Sequence, residues 1–262
     1  MHETEEAKVG TRRSSIVLLA VISVMAAAPA LAKPGEYAEI GEGGWTSSVA
    51  MAAMDGSLWI VDDGTLYRVD KKGAYTEAGD GGWSTIYTMA ALDGFLWIID
   101  DGTLYKVDKK GAYTEAGDGD WSAATAMAAL DGFLWIIDDG TLYRVDNKGA
   151  YTEAGDGDWS ATDLLVGMDG FLWAVDDGIL YKVDKKGAYA EAGDGDWSAV
   201  STMAALEGFL WIVDDGTLYK VDQKGAYAEA GDGDWSLTYL LAGMDGYLWA
   251  VDDESLYRIS VK

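Results

Sequence analysis

The chain has 262 residues, 49% of them apolar, enough for a large core, and a formal net charge of −26. It has no cysteine, and its single histidine is His2, so disulfides and thiolate chemistry are excluded, as is imidazole as base or metal ligand beyond the N-terminal segment. So acidic a chain repels nucleic acid and anionic membrane surfaces, leaving cations, basic proteins and neutral ligands as partners.

Residues 1–32 read as a secretory signal. Arg12 and Arg13 make a basic start, Ile16 to Ala28 an apolar core, and Ala30-Leu31-Ala32 a small-residue cleavage site. The apolar run to Ala32 contains Pro29 and is short for a membrane span, so cleavage after Ala32 is expected rather than membrane insertion. The remaining domain, residues 33–262, is then secreted or periplasmic.

A tryptophan recurs every 38 residues, at Trp45, Trp83, Trp121, Trp159, Trp197 and Trp235. A fixed period in this range marks a solenoid, a propeller or an array. Gly35 to Lys262 makes six units, but the sixth, from Trp235, stops ten residues short. The missing piece is at the front: Gly35–Gly44 (GEYAEIGEGG) aligns with Gly73–Gly82 (GAYTEAGDGG). An open solenoid has no reason to divide one unit between its termini. A closed ring does, because the N-terminal strand completes the last blade.

The unit from Trp121 predicts four strands: one ending Met127–Leu130, then Phe133–Ile137, Thr141–Val145 and Ala150–Ala154. Turn residues sit at each junction, beginning with the hairpin signal Asp131-Gly132, and β-branched or aromatic residues lie between. Small residues in the first strand suit a crowded axis. In the second, Phe133, Trp135 and Ile137 point one way and Leu134 and Ile136 the other, as in a sheet covered on both faces. The polar fourth strand suits an outer edge. The fold class predicted is all-β: a six-bladed β-propeller of four-stranded antiparallel blades, closed by residues 35–44. Units at Trp159 and Trp235 carry Gly for Ala in strand one and Ala for Ile in strand two, so the ring should depart from six-fold symmetry.

Strand connectivity puts the strand 2–3 turns (Asp-Asp-Gly) and the strand 4–1 loops (Gly-Asp-Gly-Asp) on one face. They contain no lysine or arginine, whereas the strand 3–4 turns of the other face carry most of the lysines. An acidic face invites a basic protein partner or cations. Calcium is the ion that clustered carboxylate and carbonyl oxygens would take. Asp and Gly are also the residues that turns require, and the loops lack the ligand spacing of the twelve-residue calcium loop. Cofactors are therefore expected to be none.

Each 4–1 loop places an aspartate (Asp80, Asp118, Asp156, Asp194, Asp232) shortly before a tryptophan (Trp83, Trp121, Trp159, Trp197, Trp235, with Trp45 in the first unit). An aromatic ring beside carboxylates and loop amides is how sugars are held. The same rings would serve equally as wedges between blades. Trp59, Trp97, Trp135, Trp173, Trp211 and Trp249, between apolar neighbours in strand two, read as core. The most variable window covers Ser47–Ala50, Thr85–Thr88, Ala123–Ala126, Ala161–Leu164, Ala199–Thr202 and Leu237–Leu240. There Tyr87, Asp163 and Tyr239 stand out as candidate ligand-binding residues. No Ser-His-Asp set, phosphate loop or histidine metal motif is present, and near-identical repeats offer no distinguished carboxylate pair, so no enzyme is expected.

The motifs Gly79–Trp83, Asp55–Val61 and Leu66–Arg68, repeated over residues 35–262, resemble the tachylectin and tectonin family of propeller lectins. The resemblance implies multivalent binding of amino sugars such as N-acetylglucosamine, one site per blade. The horseshoe-crab type has five longer units, with a longer 3–4 connection bearing its own tryptophan. Here that connection is Asp-Lys-Lys-Gly. The expected function is a secreted carbohydrate-binding protein, with an interaction or adhesion module using the acidic face as the alternative, and an enzyme acting on a polymer behind both.

Overall fold

The computed structural model describes residues 33–41 and 43–262; the expected signal segment, residues 1–32, lies outside the described residues. Twenty-four strands and no helix are found among them. They form six four-stranded antiparallel sheets, the blades of a closed propeller.

Blade 3 shows the plan. Its strands are β10 (Ala124–Leu130), β11 (Phe133–Asp138), β12 (Thr141–Val145) and β13 (Tyr151–Glu153), paired in that order. Asp131 (φ 50°) and Gly132 (φ 80°) make the first hairpin. Two consecutive positive-φ residues are what a type I′ turn requires. The predicted third strand agrees residue for residue. The first ends at Leu130 as expected, and the fourth is confined to its central three.

The chain ends meet as the permuted repeat predicts. Strand β1 (Tyr37–Glu39) pairs antiparallel with β24 (Ser255–Ser260), completing a sheet with β23 (Tyr247–Asp252) and β22 (Thr238–Met244). Backbone bonds from Gly35 N to Ser260 O and from Ile40 N to Leu256 O, both 2.8 Å, extend the clasp on either side. Without β1 the last blade would present a bare edge to solvent.

The core lies between blades rather than within them. Trp135, Ile137 and Leu142 of blade 3 pack on Leu165, Leu172 and Ala174 of blade 4. Leu134, Ile136 and Val145 turn the other way, onto Trp97, Ile99 and Leu104 of blade 2. Six such seams close the circle, the last joining Trp249, Val251 and Leu256 of blade 6 to Leu58, Ile60 and Val69 of blade 1.

The two kinds of unit have a steric reason. A Cβ on Gly167 would stand 2.2 Å from Ala129 O, and one on Gly243 would stand 2.5 Å from Ala205 O. Glycine therefore lets the inner strands of blades 4 and 6 approach the preceding blade, and an alanine there would cost about 1–3 kcal/mol through overpacking. Blades 1, 2, 3 and 5 carry alanine at the same place (Ala53, Ala91, Ala129, Ala205). The ring is thus drawn together at two of its six seams.

The clasp makes a prediction about stability. Removing residues 33–44 should lower the unfolding temperature sharply or cause aggregation, read by thermal melting and light scattering. An unchanged melting curve would mean that the other five seams hold the ring without it.

Candidate functional site

The polar positions of the unit serve several different structural ends. On the opposite face from the Asp-Asp-Gly turns, neighbouring blades are stitched together. Lys71 pairs with Asp245 and Lys109 with Asp55, each at 2.7 Å, Lys262 with Glu207 at 2.9 Å, and Lys185 with Asp131. Gln223 Nε2 donates to Asp169 Oδ2 at 2.6 Å in the same register. At the remaining junction, Asn147 stands where a lysine would meet Asp93. These pairs are exposed, so each contributes at most about 1 kcal/mol. Their main consequence is electrostatic: this face is largely neutralised and the other is not.

On the acidic face, the loop entering each blade is bonded to the preceding blade's 2–3 turn, as in Trp121 N to Gly102 O at 2.9 Å. The two loop sets therefore share one face, as the connectivity requires. The first aspartate of each Asp-Asp-Gly turn is half-buried and structural. Oδ1 of Asp62, Asp100, Asp138 and Asp214 accepts the amides of Ser47, Thr85, Ala123 and Ala199 at 2.8–3.1 Å. Asp176 Oδ1 takes the hydroxyl of Thr162 at 2.6 Å, and Asp252 Oδ1 that of Thr238 at 2.7 Å. Burial, first among the causes, raises the carboxyls of Asp138, Asp214 and Asp252 above their usual range, against the lowering effect of these donors.

These anchors hold a β-bulge. In every blade the inner strand slips by one residue against strand two, leaving one residue without a partner. The bulged residues are Val49, Tyr87, Thr125, Asp163, Ser201 and Tyr239, and all six are exposed. A bulge re-aims its side chain out of the ladder, and bulges are common beside binding sites. Here they surround the axial mouth of the ring on its acidic face. All but Ser201 line a cavity of about 190 Å³ whose wall includes Met51, Met89, Met127 and Met203. Tyr87 and Tyr239 are 39% and 38% exposed. Tyr239 donates its hydroxyl to Trp45 O at 2.8 Å across the closing seam, and burial raises its pKa, so it remains a donor. Thr125 Oγ1 donates to Thr162 O at 2.6 Å.

The structure thus brings together three of the candidate residues, Tyr87, Asp163 and Tyr239, and withdraws the largest group. Trp45, Trp83, Trp121, Trp159, Trp197 and Trp235 are only 2–3% exposed, so the expected aromatic platforms are corrected to core wedges. Trp121 packs edge-on against Tyr143 and Tyr151, with centroids 5.6 and 5.1 Å away. The loop glycine roofs its other side: a Cβ on Gly119 would stand 2.7 Å from Trp121 Nε1. The glycine permits close approach, but to the protein's own indole rather than to a ligand. Asp80, Asp118, Asp156, Asp194 and Asp232 remain exposed at the rim. Among the described residues no group of three or more acidic side chains is placed to hold a metal ion.

No protein-family profile matches the chain, and no curated protein matches it. Its fold is similar to those of solved six-bladed propellers. A calcium-binding regucalcin from Agrobacterium tumefaciens superposes with a TM-score of 0.66 at 17% identity, covering 88% of this chain and 96% of that one. A streptogramin B lyase gives 0.64 at 13%, with 87% and 98% covered. An auxiliary nutrient binding protein from Bacteroides thetaiotaomicron gives 0.64 at 12%, with 83% and 69% covered. Likeness at this identity establishes the fold, while the lectin kinship stays a resemblance of motifs.

Two outcomes check this description. Trp121→Ala should destabilise the ring about as much as Trp135→Ala, by roughly 3–5 kcal/mol each, in denaturant unfolding. A far smaller loss for Trp121→Ala would mean that its indole is not core. The second concerns pH. A carboxyl whose pKa is raised by folding costs stability while ionised, and the cost is relieved as pH falls through the raised value. The wild type should therefore gain melting temperature as pH falls from neutral through the raised values, before the ordinary aspartate range is reached. A variant with Asp138, Asp214 and Asp252 all changed to Asn, which keeps an acceptor oxygen, should gain less. Equal gains in both would assign the effect to the other carboxylates.

Proposed function

We propose that the protein is an exported, non-catalytic binding protein that takes carbohydrate at the axial mouth. The observation that carries this reading is the bulge ring. Where 38-residue units otherwise nearly repeat, the six bulged residues are Val, Tyr, Thr, Asp, Ser and Tyr, and all but the serine line the axial cavity. Most residues common to all units are accounted for by folding. The bulged ones are under no such common demand and are free to match a ligand. Two exposed tyrosines supply apolar surface for sugar CH groups, Thr125 a hydroxyl oxygen, and Asp163 an acceptor. A cavity of about 190 Å³ is smaller than a drug-sized site and suits one sugar ring. Binding at one axial mouth replaces the expectation of one site per blade.

A second reading rests on the charge segregation. A face rich in aspartate and free of lysine and arginine would draw a basic protein through long-range attraction. Interaction of that kind weakens steeply with salt, whereas a sugar seated by stacking and hydrogen bonds does not. A glycan array probed with wild type and Tyr87→Ala separates the two. We expect binding that free sugar competes away and that falls about tenfold or more in the variant, a loss of about 1.4 kcal/mol. Binding to basic proteins alone, abolished by salt, would overturn the carbohydrate reading in favour of the second.

A further inference from the structure

We propose that the group seated in the axial mouth is a protonated amine, so that the sugar taken there is an amino sugar with a free ammonium. This deepens the axial reading and rests on it. The bulge ring alternates in size around the axis: Tyr87, Asp163 and Tyr239 come from blades 2, 4 and 6, and Val49, Thr125 and Ser201 from blades 1, 3 and 5. Two aromatic side chains and one carboxylate therefore bound the cavity from three directions, with smaller side chains between them.

Each wall favours a cation. Asp163 is exposed, is the only carboxylate among the described residues lining the cavity, and its side chain holds no hydrogen bond or ion pair among them. Its charge is uncommitted, unlike the half-buried Asp176 of the same blade, which is occupied by Thr162. A ring face attracts an ammonium through its quadrupole, and a cation between aromatic faces is the usual way such groups are recognised. Tyr239 is held in place by its bond to Trp45 O, while the Tyr87 hydroxyl has no partner and is free to accept. The lower wall, with Met89, Met127, Leu165 and Met203, offers polarisable sulfur and methyl groups but no donor. An anion would find only hydroxyls to hold it. Beside the mouth the acids of the 2–3 turns, with Asp62, Asp252 and Glu254 near Tyr239, add a negative potential, which a recess with low-dielectric walls concentrates.

The test compares glucosamine with N-acetylglucosamine, which share a ring and differ in the charge at one nitrogen. Calorimetric titration at about pH 6, where the amine is protonated, would use wild type, Asp163→Asn and Tyr87→Ala, each first shown to melt as the wild type does. Tetramethylammonium serves as a cation without a sugar. We expect glucosamine to bind at least about tenfold more tightly than N-acetylglucosamine, tetramethylammonium to compete with it, Asp163→Asn to bring the ratio close to one, and Tyr87→Ala to weaken both sugars. Equal binding of both sugars, weakened by Tyr87→Ala and untouched by Asp163→Asn, would overturn the amine and leave the axial carbohydrate site standing. Tetramethylammonium binding that needs Asp163, with neither sugar bound, would keep the ammonium and remove the sugar. No binding of any probe, or binding that neither variant changes, would overturn the axial site itself and the amine with it.

Discussion

The whole molecule depends on one constraint: the second strand of each blade is apolar on both faces and must be covered on both. Trp135 and Ile137 need blade 4, while Leu134 and Ile136 need blade 2. A blade alone can satisfy neither, and an open row would leave two blades half-covered. Closure is the only arrangement in which every such strand is buried, which is why the chain divides one unit between its ends. Three residues of β1, held by its ladder and the backbone bonds on either side, then protect an edge on which all six seams depend.

Much of this is legible in the sequence because it obeys strict periods. The 38-residue spacing reveals the repeat, the ten-residue deficit reveals closure, and Asp-Gly reveals the hairpins. The burial of the loop tryptophans is not legible. Gly-Asp-Gly before Trp121 reads equally as a ligand loop or as a roof, and only the approach of Gly119 to the indole decides between them. The bulge is equally hidden. Alternation of period two survives on both sides of Thr125, and one extra residue in a short variable window resembles ordinary drift. The window was a usable signal nonetheless: it contains every bulged residue, and position four after each tryptophan is the one that varies most in chemistry.

The Asp-Asp-Gly turn shows why charge counts mislead in a repeat. Read as a list, its aspartates form one acidic rim. In the fold the first of each pair is half-buried and accepts donors that pin the bulge, while the second occupies the positive-φ turn position, as Asp139 does at φ 46°. An amide or hydroxyl donor satisfies the first, and turn geometry selects the second. Both belong to the scaffold, although their summed field still reaches the mouth.

What separates scaffold from site is departure from the repeat. A residue present in all six blades must answer a need that all six blades share, and for this chain those needs are seams, turns and bulge anchors. Gly167 and Gly243 are departures too, but their contacts lie against Ala129 and Ala205, so packing absorbs them. Among the bulged side chains, Val49, Tyr87 and Asp163 have no such internal account. Tyr87 and Asp163 make no hydrogen bond within the described residues, and Tyr239 makes one that fixes it without covering its ring. A fold that specifies its core six times over leaves its bulged positions to vary, and five of them line one axial cavity, where one small ligand could touch several blades at once.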